Sequence, residues 1–114
     1  MGKRTYALDF DGTLSLGRFP RCGPPNEKLI EVVKEILSQP YDYRPALVLW
    51  TCRTGEYLRE AVEWLKEQGI EFDPVPESDF PGKSDKVHAE LYVDDRAASA
   101  DQFIDMYHTG RIYR

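Results

Sequence analysis

Two aspartates one residue apart, at the end of the first apolar run, constrain this chain more than any other feature. Residues 6–8 (Tyr-Ala-Leu) predict a buried strand, and Gly12 marks the point where the chain leaves it. Asp9 and Asp11 therefore follow the carboxyl end of the first strand. Because ligands of open α/β sheets bind outside the carboxyl ends of the strands, this position favours a functional site over a turn or a helix cap.

The carboxylates of Asp9 and Asp11 would repel each other unless a cation compensates their charge. At a separation of about 4 Å and an effective dielectric constant of about 20, the repulsion is roughly 4 kcal/mol. A hard cation with oxygen ligands would cancel it, and Mg²⁺ is the first candidate. The pair therefore predicts a metal site at the end of the first strand.

Length and charge limit the classes of protein to which the chain can belong. With 114 residues it is expected to form one domain, 1–114, with a proper core. The net charge of −5 disfavours broad nucleic-acid binding, which needs a basic surface, but leaves room for a basic patch at one pocket. No apolar run approaches the roughly 20 residues of a membrane span, and we expect no secretory signal. These features predict a cytoplasmic protein with reduced cysteines, Cys22 and Cys52, and leave one disulfide between them as the alternative.

Beyond the first strand, the apolar pattern alternates between helical and strand spacing. Asn26 and Thr54 are predicted helix caps, and Gly69 and Gly110 are predicted helix ends. The alternation predicts a parallel sheet with helices on both faces. The predicted helices are 27–38, 56–68 and a last helix opened by a capping box of Ser99 with Gln102, with one helical turn at 85–89, and the predicted strands are 46–50, 70–75, 91–93 and an edge strand at 111–113.

Each predicted helix has an apolar stripe that should face the core. The stripes are Leu29, Val33, Ile36 and Leu37 in the first helix, Leu58, Ala61, Val62 and Leu65 in the second, and Phe103, Ile104 and Met106 in the last.

Residues 15–25 contain two glycines and three prolines and are predicted to form a loop. The loop begins beside the acidic pair, so we expect it to overhang the site, and we name it the flap. Arg18 and Arg21 lie in the flap. Their side chains either meet an anionic substrate or stay solvated, and the sequence leaves both interpretations open.

Polar residues follow three of the predicted strands at the points where those strands end. In a parallel sheet these ends lie on one edge, so four carboxylates are expected close together. A divalent cation that also binds a phosphate explains such a cluster better than structure alone. A lysine shortly before the last of these strands would add positive charge at the same edge. The residues are Asp9, Asp11, Thr51, Lys86, Asp94 and Asp95.

The order of these residues resembles the four motifs of the haloacid dehalogenase (HAD) superfamily of phosphohydrolases. Residues 9–13 (Asp-Phe-Asp-Gly-Thr) resemble the first motif, Thr51 the second, a lysine the third and Asp94-Asp95 the fourth. The resemblance spans residues 6–95. The stretch 86–96 is also similar to small uncharacterised bacterial and phage members of this superfamily. It implies a Rossmann-like three-layer α/β/α sandwich with a mainly parallel sheet. No cap domain is expected, because the intervals between the motifs are already filled.

The resemblance implies a phosphatase mechanism that uses both aspartates of the first motif. Asp9 would be the nucleophile that forms an aspartyl-phosphate, since carboxylates act in this way in covalent phosphoryl transfer. Asp11 would be general acid to the leaving group and then base to the attacking water, with its backbone carbonyl on the metal. Acid catalysis at neutral pH needs a raised pKa, which a crowded acidic site can provide.

The other motifs imply the groups that bind the phosphate and the metal. Thr51 would donate a hydrogen bond to a phosphoryl oxygen, and Lys86 would neutralise the nucleophile and the phosphate, with Lys83 as a rival for that role. Asp94 would bind Mg²⁺ together with Asp9 and Asp11, and Asp95 would bind it through water or orient its neighbours. The nearest alternatives are a capping or solvated role for each of these residues taken singly.

Without a cap, specificity would have to come from the flap, the loop at Arg53, a partner subunit of a homo-oligomer, or the bulk of the substrate. Thr51, Cys52, Arg53 and Lys86 are the expected contacts to a phosphorylated substrate, small or large. Cys52 is interpreted as a small reduced side chain packed beside the site.

Two other classes of protein remain open. A phosphorelay receiver domain has a similar length, an acidic metal site, a threonine and a lysine. Its phosphoacceptor aspartate lies on a later strand than its acidic pair, so the motif order here disfavours it. A non-catalytic module that binds a phosphorylated ligand is the third interpretation.

Overall fold

The computed structural model describes residues 4–74, 91–93 and 100–110. Within these ranges the chain forms three strands, three α-helices and one short 3₁₀ helix. The elements are β1 (Thr5–Leu8), α1 (Glu27–Leu37), a 3₁₀ helix (Tyr41–Tyr43), β2 (Ala46–Leu49), α2 (Gly55–Glu67), β3 (Leu91–Val93) and α3 (Ala100–His108).

The three strands form a parallel sheet in the order β2-β1-β3, which confirms the predicted parallel arrangement. The central strand pairs Leu8 with Leu49 on one side and with Val93 on the other. All three strands therefore end level with one another, and we call the side of the sheet where they end the carboxyl edge.

Both faces of β1 are buried, as expected for the central strand of a parallel sheet. On one face, the ring of Tyr6 meets the ring of Phe103 in α3 edge to face at 6.2 Å between centroids, and α1 packs against α3. On the other face, Thr5 and Ala7 are buried as well. Burying a large apolar side chain stabilises a fold by about 1.5–3 kcal/mol, so this core holds β1 firmly in place.

Helix α1 begins where the sequence predicts. The Asn26 side chain accepts a hydrogen bond from the Leu29 backbone N–H at 3.4 Å, and its own amide donates to the Thr13 carbonyl at 3.2 Å. The cap therefore also ties the start of α1 to the turn that follows β1. Of the predicted stripe, Leu37 is only half-buried, while Ile30 and Val32 broaden the buried face.

Helix α2 begins one residue earlier than predicted, and Gly69 ends it with a φ of +84°. Thr54 occupies the cap position, but its side chain makes no capping hydrogen bond. Ala61 and Leu65 are buried, whereas Val62 is 37% exposed, so its place in the predicted stripe is wrong. The helix buries a narrower face than expected, and Val62 lines an open apolar cleft of about 410 Å³ beside the connection that follows α2.

The predicted strand at 70–75 is wrong over its described part, because residues 70–74 do not form a strand. The Asp73 N–H donates to the Leu47 carbonyl at 2.8 Å, but the Leu47 N–H donates to the Asp73 carboxylate at 2.8 Å. A side chain therefore takes the place of a backbone carbonyl at the edge of β2. Arg44 holds that carboxylate with hydrogen bonds of 2.6 and 3.1 Å.

Helix α3 buries Phe103 and Tyr107, with Ile104 and Met106 half-buried. Its predicted cap Ser99, the helical turn at 85–89 and the edge strand at 111–113 lie outside the described residues. Among the helices that are described, none has the length and apolar composition needed to cross a bilayer.

Candidate active site

Asp9 leaves the central strand at the carboxyl edge and is fixed there by its backbone. Its N–H donates to the Val93 carbonyl of β3 at 3.0 Å, and the Trp50 N–H donates to the Leu8 carbonyl at 2.8 Å. The ends of β1, β2 and β3 are therefore linked by hydrogen bonds one residue beyond the paired strands. Asp9 is half-buried at this edge and makes a further interaction within the protein.

The chain makes a tight turn after β1, and the residue between the two aspartates is a fully buried phenylalanine. The carbonyl of Phe10 accepts from the N–H groups of Thr13 at 3.2 Å and Ser15 at 3.0 Å. Gly12 has a φ of +78°, a conformation that other residues adopt at a cost. Because Phe10 points into the core, Asp9 and Asp11 are both left half-buried at the boundary with solvent.

The Asp11 carboxylate is bound by Arg53, which lies on the loop after β2. The Arg53 Nε donates to Asp11 Oδ2 at 2.9 Å, and Nη2 donates to Oδ1 at 2.7 Å. The Arg53 side chain is 1% exposed and that of Asp11 25%. The hydrogen bond to Asp11 raises the pKa of the Arg53 guanidinium, against the opposing effect of burial. Both oxygens of Asp11 are thus occupied by a buried, permanently charged partner.

Arg53 also contacts the flap and α2. Its guanidinium carbon lies 4.8 Å from the Phe10 ring centroid and 5.2 Å from that of Phe19 in the flap. Its Nη1 donates to the Tyr57 carbonyl at 3.2 Å, and its Nη2 reaches the Arg21 carbonyl at 3.4 Å. A guanidinium between two aromatic rings gains cation–π stabilisation from each. Arg53 therefore joins the turn after β1, the flap and α2 at one point.

The flap is a closed loop whose two ends lie against each other. The buried Ser15 hydroxyl accepts from the N–H groups of Gly17 at 3.2 Å and Gly23 at 2.8 Å. A Cβ on Gly17 would lie 2.6 Å from the Gly23 nitrogen, so only glycine fits this approach. The Trp64 indole N–H donates to the Gly23 carbonyl at 3.2 Å and fastens the flap to α2. The predicted loop is confirmed, and the side chains of Arg18 and Arg21 are exposed on it.

Thr51 and Cys52 follow β2 and differ in exposure. The half-buried Thr51 hydroxyl accepts from the Arg53 backbone N–H at 3.1 Å, and a hydroxyl in that position still carries one O–H donor. Cys52 is exposed, so the prediction that it packs beside the site is wrong. The half-buried cysteine is Cys22 in the flap, and burial raises the pKa of its thiol. Both cysteines lie within the described residues and both are free thiols, as predicted.

Part of the predicted site lies outside the described residues: Lys83, Lys86, Asp94 and Asp95. Within the described ranges, no group of three His, Cys, Asp or Glu side chains comes together as a metal cluster. Asp9 and the backbone carbonyl of Asp11 are oxygen donors, the kind that Mg²⁺ prefers. They fit the predicted metal, whereas the side chain of Asp11 is held by Arg53 instead.

Sequence reasoning missed the Asp11–Arg53 pair and the ring of Phe19 above it. The two charged residues are 42 positions apart, and no local pattern links them. The available signal was weak: an arginine two residues beyond a strand end, on the same edge as an unbalanced acidic pair.

No protein-family model and no curated protein matches the chain. A solved structure of a conserved protein from Bacteroides thetaiotaomicron is 31% identical in sequence and superposes with a TM-score of 0.74. The match covers 98% of this chain and 95% of that one. Similarity of both sequence and fold over almost the whole of two chains indicates common descent. The chain therefore belongs to the same family as this conserved Bacteroides thetaiotaomicron protein.

Proposed function

We propose that the chain is a Mg²⁺-dependent phosphohydrolase of the HAD type, which hydrolyses phosphate monoesters through an aspartyl-phosphate on Asp9. The observation that carries the proposal is the backbone hydrogen bond from Asp9 to Val93. It sets the proposed nucleophile beside the residue that directly precedes Asp94 and Asp95 in the sequence. The first motif thus follows β1, which pairs with β3, and in the sequence the fourth motif comes directly after β3; Thr51 follows β2 on the other side.

The proposed reaction has two displacement steps at phosphorus. In the first, an Asp9 carboxylate oxygen forms a bond to phosphorus, the bond to the leaving oxygen breaks, and Asp11 gives that oxygen a proton. In the second, Asp11 takes a proton from water, the water oxygen attacks phosphorus, and the Asp9–phosphorus bond breaks. Phosphate leaves, and both carboxyl groups return to their starting forms. The Thr51 hydroxyl donates to a phosphoryl oxygen, and Lys86 balances the charge of the phosphate.

Mg²⁺ would be held by Asp9, the backbone carbonyl of Asp11 and Asp94. When bound, it would cancel negative charge on the phosphoryl oxygens. The protein's own contribution is to hold the nucleophile rigidly, and the buried strand β1 supplies that rigidity.

The proposal includes a HAD-like three-layer sandwich without a cap. The chain between β1 and β2 supports this, because it consists of the flap, α1 and the short 3₁₀ helix. In the described part of the chain, the flap contacts the Arg53 side chain that holds Asp11, so it would contribute to the selection of a substrate.

A second candidate is a non-catalytic module that binds a phosphorylated ligand. The observation that favours it is the double hydrogen bond from Arg53 to Asp11. A carboxylate held at both oxygens has to change partner before it can protonate a leaving group. A module of this kind would bind phosphate esters and release no phosphate.

Phosphate release from a broad panel of phosphate esters separates the two candidates. The protein is incubated with each ester in Mg²⁺ and again with a chelator. The matched variants are Asp9→Asn and Asp42→Asn, the latter on an exposed aspartate of the 3₁₀ helix. The phosphohydrolase proposal expects repeated turnover by the parent and by Asp42→Asn, and none by Asp9→Asn or in chelator. Normal turnover by folded Asp9→Asn protein would refute the nucleophile, and ester binding without release by the parent would favour the binding module.

A further inference from the structure

We propose that Arg53 is a positioning residue that couples the flap to Asp11, so that neither moves without the other. The proposal concerns this chain's own contacts, and its catalytic consequence rests on the proposed function of Asp11. Arg53 itself is not placed against the reacting atoms; it acts through the carboxylate that it holds.

The contact with Asp11 is strong because it is double and buried. Two parallel N–H···O bonds fix the orientation of the carboxylate as well as its position. The guanidinium has almost no contact with solvent. If Asp11 rotates away, a buried charge loses its partner, which is strongly unfavourable.

The contact with the flap is made by the exposed side chain of Phe19 and by the Arg21 carbonyl. Phe19 is 54% exposed, yet its ring lies over the Arg53 guanidinium and 4.9 Å from the Tyr57 ring. The Arg21 carbonyl adds a hydrogen-bond acceptor for the same guanidinium. The flap therefore covers Arg53 from the solvent side, while Phe10 supports it from the core side.

The base of the flap is already hydrogen-bonded to the turn that carries Asp11, through Ser15. Arg53 adds a second link, from the Asp11 side chain to the part of the flap around Phe19 and Arg21. Lifting the flap would let water reach Arg53 and weaken its ion pair with Asp11. Removing the Asp11 carboxylate would leave Arg53 without its counter-charge and loosen the surface on which Phe19 rests. A substrate that displaces the flap would thereby also loosen Asp11, and flap closure would restore its orientation.

Hydrogen exchange of the flap amides in the ligand-free protein tests this coupling without any need for activity. The reporters are the N–H groups of Gly17 and Gly23, which both donate hydrogen bonds to the Ser15 hydroxyl. The variants are Asp11→Asn, Arg53→Met and Arg53→Lys. Lysine keeps the positive charge but has neither the paired N–H donors nor the planar surface of the guanidinium. Arg44→Met is the control, because it removes a similarly buried double ion pair from the opposite end of β2.

The proposal expects all three site variants to raise the exchange rates at Gly17 and Gly23 by about threefold or more, the range of coupling between contacting groups. Arg44→Met should leave the two rates at the parent's value. Parent-like flap exchange in folded Asp11→Asn protein would overturn the coupling, as would parent-like exchange in both Arg53 variants.

A kinetic comparison separates coupling from direct substrate binding by the flap. Phe19→Leu removes the ring over Arg53 without touching Asp11, and Phe19 is exposed enough for the fold to tolerate the change. Coupling predicts a several-fold lower kcat with little change in KM, because Asp11 is less well positioned. A raised KM with unchanged kcat would show that the flap binds substrate directly and would overturn the catalytic consequence. If the parent releases no phosphate at all, the proposed function fails while the exchange result still decides the coupling.

Discussion

Asp11 and Arg53 lie 42 positions apart in the sequence and meet at the carboxyl edge through hydrogen bonds of 2.9 and 2.7 Å. Their ion pair supplies one of the two half-buried aspartates of the first motif with a buried counter-charge. The repulsion expected between Asp9 and Asp11 is offset in part by a guanidinium that the protein supplies itself. The same contact links the proposed acid–base residue to the flap.

Arg53→Met should lower the free energy of unfolding by about 2–4 kcal/mol, because breaking a buried ion pair leaves a charge without its partner. Asp11 is partly exposed, so the value should lie at the lower end of this range. Chemical denaturation of Arg53→Met, Asp11→Asn and the double variant measures it. The double variant should lose less than the sum of the single losses, by about 1–2 kcal/mol. Strict additivity would show that the two side chains do not interact in solution.

Asp73→Ala should be strongly destabilising while leaving any phosphatase activity of the folded protein unchanged. The Asp73 carboxylate accepts from Arg44 and from the Leu47 N–H, so its loss leaves a buried guanidinium without its counter-charge and a strand N–H without its acceptor. We expect a loss of about 2–4 kcal/mol in thermal or chemical unfolding.

The control for Asp73→Ala is Glu56→Ala, which breaks the exposed pair between Glu56 and Arg59 in α2. Exposed pairs contribute about 0–1 kcal/mol, so this variant should unfold almost like the parent. Equal losses in the two variants would show that Asp73 does not replace a strand carbonyl at the edge of β2.

Cys52 should react with iodoacetamide faster than Cys22 near neutral pH, by about tenfold or more. Cys52 is exposed, whereas burial raises the pKa of the half-buried Cys22 thiol above its ordinary value of 9.0. The pKa of the Cys22 thiol is therefore higher in the folded state than in the unfolded state. The neutral thiol contributes fully to the free energy of unfolding below about pH 9, and this contribution is lost as the pH rises through the folded-state pKa. Peptide mass spectrometry of the alkylated protein, with Cys52→Ser as the comparison, gives the two rates. Equal rates would place Cys22 in solvent.

Asp11→Asn should reduce turnover of an alkyl phosphate far more than turnover of an activated aryl phosphate. A good leaving group needs little protonation, and general acid–base help is typically worth about 10²–10⁴-fold. Steady-state kcat values for one ester of each kind measure the difference. An equal loss on both esters would mean that Asp11 does not protonate the leaving group and acts only by holding its neighbours.

The sequence predicted the local elements well where one pattern decided the outcome. Strands β1, β2 and β3 follow from short apolar runs, and Asn26 caps α1 as its side-chain chemistry requires. The shared carboxyl edge of β1 and β2 follows from parallel pairing. The described residues therefore place Asp9 and Thr51 at the edge where the motifs predicted them.

The sequence could not predict the contacts that depend on three-dimensional packing. Residues 70–74 have strand-like composition, yet the Asp73 side chain competes with the backbone for the Leu47 N–H. Arg53 is packed against the rings of Phe10 and Phe19, which both lie far from it in the sequence. Neither outcome has a spacing rule, because both arise only after the chain has folded.

If Asp9 is the nucleophile, it carries a phosphoryl group during turnover, and that group can be detected on the residue itself. Protein turning over an active ester in Mg²⁺ is quenched in acid, digested and examined by mass spectrometry. We predict one added phosphoryl group on Asp9 in the parent and none at this position in Asp9→Asn. Asp11→Asn should accumulate the modified form, because loss of the base slows attack by water. Steady phosphate release with Asp9 never modified, or with the phosphoryl group on another residue, would show that Asp9 is not the nucleophile.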